Sequence, residues 1–339
     1  MKPSSSRSLF QQAGFTLVEI MVGLAIGMLA TLVILQVISV FEAQKRTTTG
    51  TADAQTNGSI ALYNIGRELQ PAGFALMPVV NSPLECTTLN IGGIADLTIP
   101  NRLTPVAITD GTSDSIIIRY GNSPTGGVPA QITMVGFNAT VNDNFNCQAG
   151  DTAIAISANG LTCNMTSVTA ASSVTPTTIT LADAVTGAEL ACLGTWNEVT
   201  YAVNNGNLQR NGQDILAGIV NLQAQYGISA TANSNHVTAW VDATTPTWDA
   251  PAVADRNRIK AIRIAVVARN PKMESATVTA TCSALDSAAP TGLCAWAGSA
   301  ASPAPAVDLS ADADWQRYRY RVFETIVPLR NVIWSKGTL

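Results

Sequence analysis

The 339-residue chain has little charge: Asp, Glu, Lys and Arg make up 12% of it, with 19 basic residues against 23 acidic ones and a net charge of −4. A protein that coats nucleic acid carries the opposite bias, so DNA or RNA is not expected as the main ligand. There is one histidine, His236, and no Cys-x-x-Cys pair, which removes the usual ligand sets of a zinc site. Neither a Gly-x-Ser-x-Gly elbow nor a Gly-rich phosphate loop occurs, so no residue can be named for catalysis and no cofactor is implied. Aromatics are also scarce, 6% of a chain that is 47% hydrophobic. The body is dense in Ala, Thr, Asn, Ser and Gly, a composition common in extracytoplasmic β-rich domains.

Cysteine is missing from the first 85 residues, and all six (Cys86, Cys147, Cys163, Cys192, Cys282 and Cys294) come later. An even number confined to one side of a long apolar segment points to disulfides in an oxidising compartment. Six cysteines allow about fifteen pairings, and spacing does not choose among them. The short loops Cys282 to Cys294 and Cys147 to Cys163 are the local pairings to test first.

Charge is scarcest near the start. After "MKPSSSRSLFQQA", with Lys2 and Arg7 and no acid, Phe15 to Val40 runs for 26 residues with Glu19 as its only charge. About 20 apolar residues cross a bilayer as a helix, so this segment is long enough to span. It is longer than the ~7 to 15 residues of a signal-peptide core. The leading positive charges place the amino terminus on the cytoplasmic side. A carboxylate inside such a segment costs about 2.5 to 3.5 kcal/mol on insertion scales, so Glu19 needs a partner or a route to the headgroups.

Gly14 followed by Phe15-Thr16-Leu17-Val18-Glu19 resembles the processing motif of type IV pilin-like proteins, which include pilins, minor pilins and type II secretion pseudopilins. The resemblance implies cleavage between Gly14 and Phe15 by a prepilin peptidase that then methylates the new Phe15 amine. It also implies that Glu19 pairs with that amine on a neighbouring subunit and so sets axial register. Gly23 and Gly27 form a small-xxx-small pair suited to close helix packing. The proline often found in mid-segment in major pilins is absent, and Gln36 lies in that region.

Helical spacing continues at Leu62, Ile65 and Leu69, and Pro71 and Gly73 end it. Thr47 to Thr51 and Gly58 are poor helix formers, and a bend or frayed turn is expected there. A helix from Phe15 to Gln70 would be roughly 84 Å long.

From about residue 74 the apolar period shortens to 2. Strands are predicted over 113–121, 130–139, 151–160 and 177–182, with a hairpin over 196–212 that turns at Asn204-Asn205-Gly206-Asn207. Residues 258–270 alternate, with Ile262, Ile264, Val266 and Ala268 on a buried face and Arg263 and Arg269 on a wet one. Residues 213–229 read as a short helix passing into a strand. Residues 316–334 set Arg317, Arg319 and Arg321 opposite Tyr318, Tyr320 and Val322, and the Ala/Pro/Ser-rich stretch 299–315 decorates the sheet.

The arginine stripe could meet an anionic surface, but alternating charge on a strand is more often its solvent face. Asp308, Asp312 and Asp314, or Asn142, Asp143 and Asn144, offer oxygen ligands without the loop spacing of a calcium site. No metal site is expected from either group.

The stretch LQAQYG at 222–227 and the terminal YRYRVFETIVPLRN look like the PilW family of minor pilins. The resemblance implies an α+β fold, in which a long amino-terminal transmembrane α-helix packs on an antiparallel β-sheet with long disulfide-stabilised loops. It divides the chain into a leader (1–14), a membrane helix (15–40), an extracytoplasmic part of the same helix (41–70) and a globular β-rich domain (71–339). The implied protein is a non-enzymatic minor pilin that primes or caps pilus assembly. Its partners would be the prepilin peptidase/methylase, other minor pilins, the major pilin, the inner-membrane assembly machinery and membrane lipid. It would cross the inner membrane once, with a periplasmic domain that enters the pilus. The alternatives are a type II secretion pseudopilin and a pilus-tip adhesin or DNA-binding module.

Overall fold

The structure, a computed structural model, describes residues 14–76, 86–92, 94–95, 103–142, 146–244 and 246–334. Leader residues 1–13, and Asp143 and Asn144 of the candidate calcium turn, lie outside the described residues. The chain divides into two compact units at Gly50/Thr51.

Helix α1 runs from Leu17 to Leu69. Its part in the first unit is long and apolar enough to cross a membrane, and its large apolar side chains are exposed on every side. In the second unit α1 buries one stripe, Ala54, Gly58, Ala61, Ile65 and Leu69, at intervals of three and four residues. No frayed turn interrupts α1 at Thr47–Thr51 or Gly58, since the helix is continuous through both. Gln70 to Ala75 then form turns, with Gly73 at φ +76° donating its N–H to Arg119 O at 2.9 Å.

The described strands form three sheets. In chain order they begin with β1 (Thr88–Ile91), β2 (Ile94–Ala95), β3 (Val106–Thr109), β4 (Ser115–Tyr120), β5 (Ala130–Gln131) and β6 (Thr133–Val135). Next come β7 (Asn138–Val141), β8 (Thr152–Ile156), β9 (Thr162–Ala171), β10 (Thr177–Leu181), β11 (Glu189–Gly194) and β12 (Asn197–Asn204). The series ends with β13 (Asn207–Arg210), β14 (Gln213–Ala217), β15 (Ile219–Ser229), β16 (Val237–Val241), β17 (Ile259–Arg269) and β18 (Tyr320–Pro328). Two short helices, α2 (Val253–Arg256) and α3 (Arg330–Trp334), complete the unit.

A nine-stranded sheet has the order β5-β11-β8-β9-β10-β7-β6, with β1 added parallel to β9 and β2 paired to β1. The other two are antiparallel, a five-stranded sheet β14-β13-β12-β4-β3 and a four-stranded sheet β16-β15-β17-β18. The segment predicted as one strand at 130–139 is broken into three short ones, β5, β6 and the start of β7.

Asn205 and Gly206, both at positive φ, make the two-residue β12–β13 turn. Asn211 and Gly212 repeat it, so the expected short helix after residue 213 is a strand, β14. That second Asn-Gly pair was the readable signal.

One core joins α1 to the five- and four-stranded sheets. Ile65 and Leu69 pack with Ile116 and Ile118 of β4, Leu222 and Tyr226 of β15, and Ile262 and Ile264 of β17. Burying each large aliphatic side chain is worth about 1.5–3 kcal/mol, so this stripe fixes the helix on the sheets.

The other face of β17 is not wet. Ala265 packs against Ala295, Trp296 and Ala304 of the long segment between β17 and β18. The Arg263 guanidinium lies over the Trp296 ring at 4.5 Å, and that of Arg269 lies over Tyr318 at 4.6 Å. A strand that alternates in type but is covered on both faces shows only half of its burial in its own sequence.

Candidate functional site

At the amino end, Gly14, Phe15 and Thr16 precede the first turn of α1. Thr16 Oγ1 accepts the Glu19 N–H at 3.3 Å. In return Glu19 Oε2 accepts the Thr16 N–H and the Thr16 hydroxyl, each at 3.0 Å. This reciprocal arrangement is a capping box, and it satisfies donors that the first helical turn would leave open. Its signature, Thr-x-x-Glu ahead of an apolar run, stands in the sequence at Thr16 and Glu19. Thr16 thus joins Glu19 as a functional candidate: it holds the carboxylate at the mouth of the helix.

Phe15 is 84% exposed. Gly23 and Gly27 have no atom within 4 Å of where a Cβ would stand, so both sit in open grooves on the helix surface. An all-round apolar helix that leaves its side chains uncovered needs lipid or other helices around it.

In the second unit α1 is tied down by polar contacts as well. The Tyr120 hydroxyl donates to Glu68 Oε1 at 2.6 Å, and Arg210 Nη2 donates to Glu68 Oε2 at 3.3 Å. Burial, reinforced by the Glu68 carboxylate, pushes the Tyr120 hydroxyl up to about 12. Asn331 of α3 donates to Ala72 O at 3.1 Å and so fastens the chain just past the helix end to the terminal segment.

Asp114 joins the five- and four-stranded sheets. It is 1% exposed and accepts the N–H groups of Ala224 at 2.7 Å and Gly111 at 3.1 Å. Its own N–H donates to Leu222 O at 2.8 Å. Burial raises its carboxyl to about 7 against the pull of those two N–H groups.

The disulfides are Cys86–Cys163, Cys147–Cys192 and Cys282–Cys294. The local pairing expected between Cys147 and Cys163 does not form, because the parallel β1–β9 pair brings Cys86 to Cys163. The Cys282–Cys294 bridge closes a loop within the segment that covers β17.

The arginine stripe is dissolved. Arg317 belongs to a short 3₁₀ turn, Trp315–Arg317, and pairs with Asp314 at 3.1 Å. Arg319 pairs with Glu274 at 3.0 Å, and only Arg321 stands on β18. Asp308, Asp312 and Asp314 are separately engaged by Ser310, Arg269 and Arg317. Among the described residues no group of three His, Cys, Asp or Glu is placed to hold a metal, and His236 is an exposed loop residue.

Residues 188–331 match the family described as Type IV Pilus-assembly protein W, and residues 9–35 match the prokaryotic N-terminal methylation motif. Among solved structures, a type IV-like pilin from Thermus thermophilus is similar over 82% of this chain and 96% of that one, at 12% identity and a TM-score of 0.36. No curated protein matches.

Proposed function

We propose, from the premise that this chain is a type IV pilin-like protein with a PilW domain and an N-terminal methylation motif, that it acts as a minor pilin that primes or caps pilus assembly. The observation that carries the reading is the joining of two parts on one chain. A PilW domain at 188–331 follows a helix whose only charge from Phe15 to Val40 is Glu19 at its mouth.

Residues 1–14 are removed by the prepilin peptidase, and the Phe15 amine is methylated. Residues 15–40 anchor the subunit in the inner membrane, 41–70 continue the helix outside it, and 71–339 form the periplasmic domain. During assembly with other minor pilins and the major pilin, the Glu19 carboxylate meets the Phe15 amine of a neighbour. An unpaired charge in hydrocarbon is expensive and a matched pair is tolerated, so the pair selects one axial offset between helices. Gly23 and Gly27 let a second helix come close. The role is structural: the chain is a substrate of processing enzymes. No observation favours membership of a type II secretion system, and the ion pairs of Arg317 and Arg319 remove two of the three charges a DNA-binding strand would use.

Three strains test this. The gene deletion should lose or thin its surface fibres, Gly14→Ala should accumulate uncleaved chain, and Glu19→Ala should be cleaved but poorly incorporated. Normal fibres in the deletion strain would reject the priming role, and normal incorporation of Glu19→Ala would reject the register role.

A further inference from the structure

We infer that the free edge of β18 receives an added strand, an extended carboxylate-bearing segment of another pilin-type subunit that lies over the exposed flank of α1. The inference rests on the assembly reading above.

Among the described residues strand β18 pairs only with β17, through nine residue pairs from Ala261↔Pro328 to Arg269↔Tyr320 without a bulge. No loop backbone among the described residues bonds to residues 321–327 on the other side. The opposite edge of the same sheet is treated differently. Strand β16 has five residues and a bulge in its pairing, and its Trp240 N–H donates to Ser302 Oγ at 3.1 Å. Proteins usually blunt edges in this second way, and a long regular edge left open is a template for another strand.

A groove of about 660 Å³ runs beside the open edge, walled by Tyr63 and Gly66 of α1 and by Phe323 and Ile326 of β18. Tyr63 is 65% exposed and Ile326 51%. A strand added about 4.8 Å beyond β18 would lie over this groove, with main-chain bonds supplying affinity and alternate side chains entering the trough.

Charge identifies the partner. Arg210, Arg258, Arg263, Arg269, Arg317 and Arg319 each have a carboxylate partner. Arg67 and Arg330, which line the groove, and Arg321, farther along β18, are exposed and, among the described residues, have no carboxylate partner. Glu324, the acid on this strand, is held by Arg263 at 3.0 Å. Carboxylates on the added strand would meet these arginines, whereas a second copy's β18 would bring like charge and be repelled.

The test uses the full chain in non-ionic detergent and a fluorescent eight-residue peptide alternating Glu and Val. Binding should weaken at least tenfold when alternate backbone nitrogens of the peptide are methylated, and at least tenfold in Arg321→Glu/Arg330→Glu protein that melts like the wild type. No binding, or binding indifferent to either change, would overturn the inference. In fibre-forming cells, p-benzoylphenylalanine at Ile326 should crosslink to a pilin-type subunit identified by mass spectrometry, while the same group at the exposed Val135 of β6 should not. A silent Ile326 in cells whose fibres still need Glu19 would sink strand addition alone. Loss of the Glu19 requirement would sink the assembly reading whatever the peptide does.

Discussion

The Phe323 ring of β18 lies over Gly58 of α1 and occupies the space that a Cβ at position 58 would take. Glycine in mid-helix costs about 1 kcal/mol relative to alanine, so this position trades helix propensity for close approach of helix and strand. Gly58→Ala gains that amount and forces the ring aside, which in a packed core costs about 1–3 kcal/mol. The expected net effect is destabilisation by about 1 kcal/mol, seen as a lower denaturant midpoint. In a Phe323→Ala background the same change should become neutral or stabilising, and a double-mutant cycle measures the coupling.

Asp114 makes stability depend on pH in an uncommon direction. Its native carboxyl titrates at about 7, above the ~3.9 of an unfolded aspartate, so between those values the folded chain holds a proton that the unfolded chain has lost. Its contribution to stability therefore falls as pH rises from about 4 to about 7 and levels off above, with a slope of at most about 1.4 kcal/mol per pH unit. Asp114→Asn should flatten that region of the stability curve. Midpoints measured at pH 5, 6, 7 and 8 check it, and an unchanged curve would contradict the assignment.

The readable parts of this molecule are those whose signal is local. The Gly14–Glu19 motif, the stripe through Ile65 and Leu69 and the Asn205-Gly206 turn all declare themselves within a few residues, because each answers to helix period or turn chemistry. What escaped is non-local. Cys86 finds Cys163 through a parallel strand pair that no spacing encodes, and Arg263 is covered by Trp296, more than thirty residues later. Strand β14 escaped for a smaller reason: Ile215 and Leu216 look like part of a helical turn unless Asn211-Gly212 is read first.

The Cys282–Cys294 bridge closes a loop that helps cover β17. Chain entropy for a loop of this size gives about 3 kcal/mol. Replacing both cysteines by serine should lower stability by up to that amount and expose Trp296, read as increased quenching by acrylamide. Equal quenching, compared with a Trp296→Phe control, would show that the cover holds without the bridge.

Thr16→Ala removes the capping hydroxyl from the helix mouth, a loss of about 1 kcal/mol, while leaving the Glu19 carboxylate in place. Incorporation into sheared fibres should fall less than in Glu19→Ala, and Thr16→Ser should restore it.

Everything about assembly depends on a free amine at Phe15 to meet a neighbour's Glu19. Intact-mass and amino-terminal peptide spectrometry of the protein recovered from membranes and fibres tests this most directly. The account expects a chain that starts at N-methylated Phe15; a chain in both fractions that still carries residues 1–14 would contradict it.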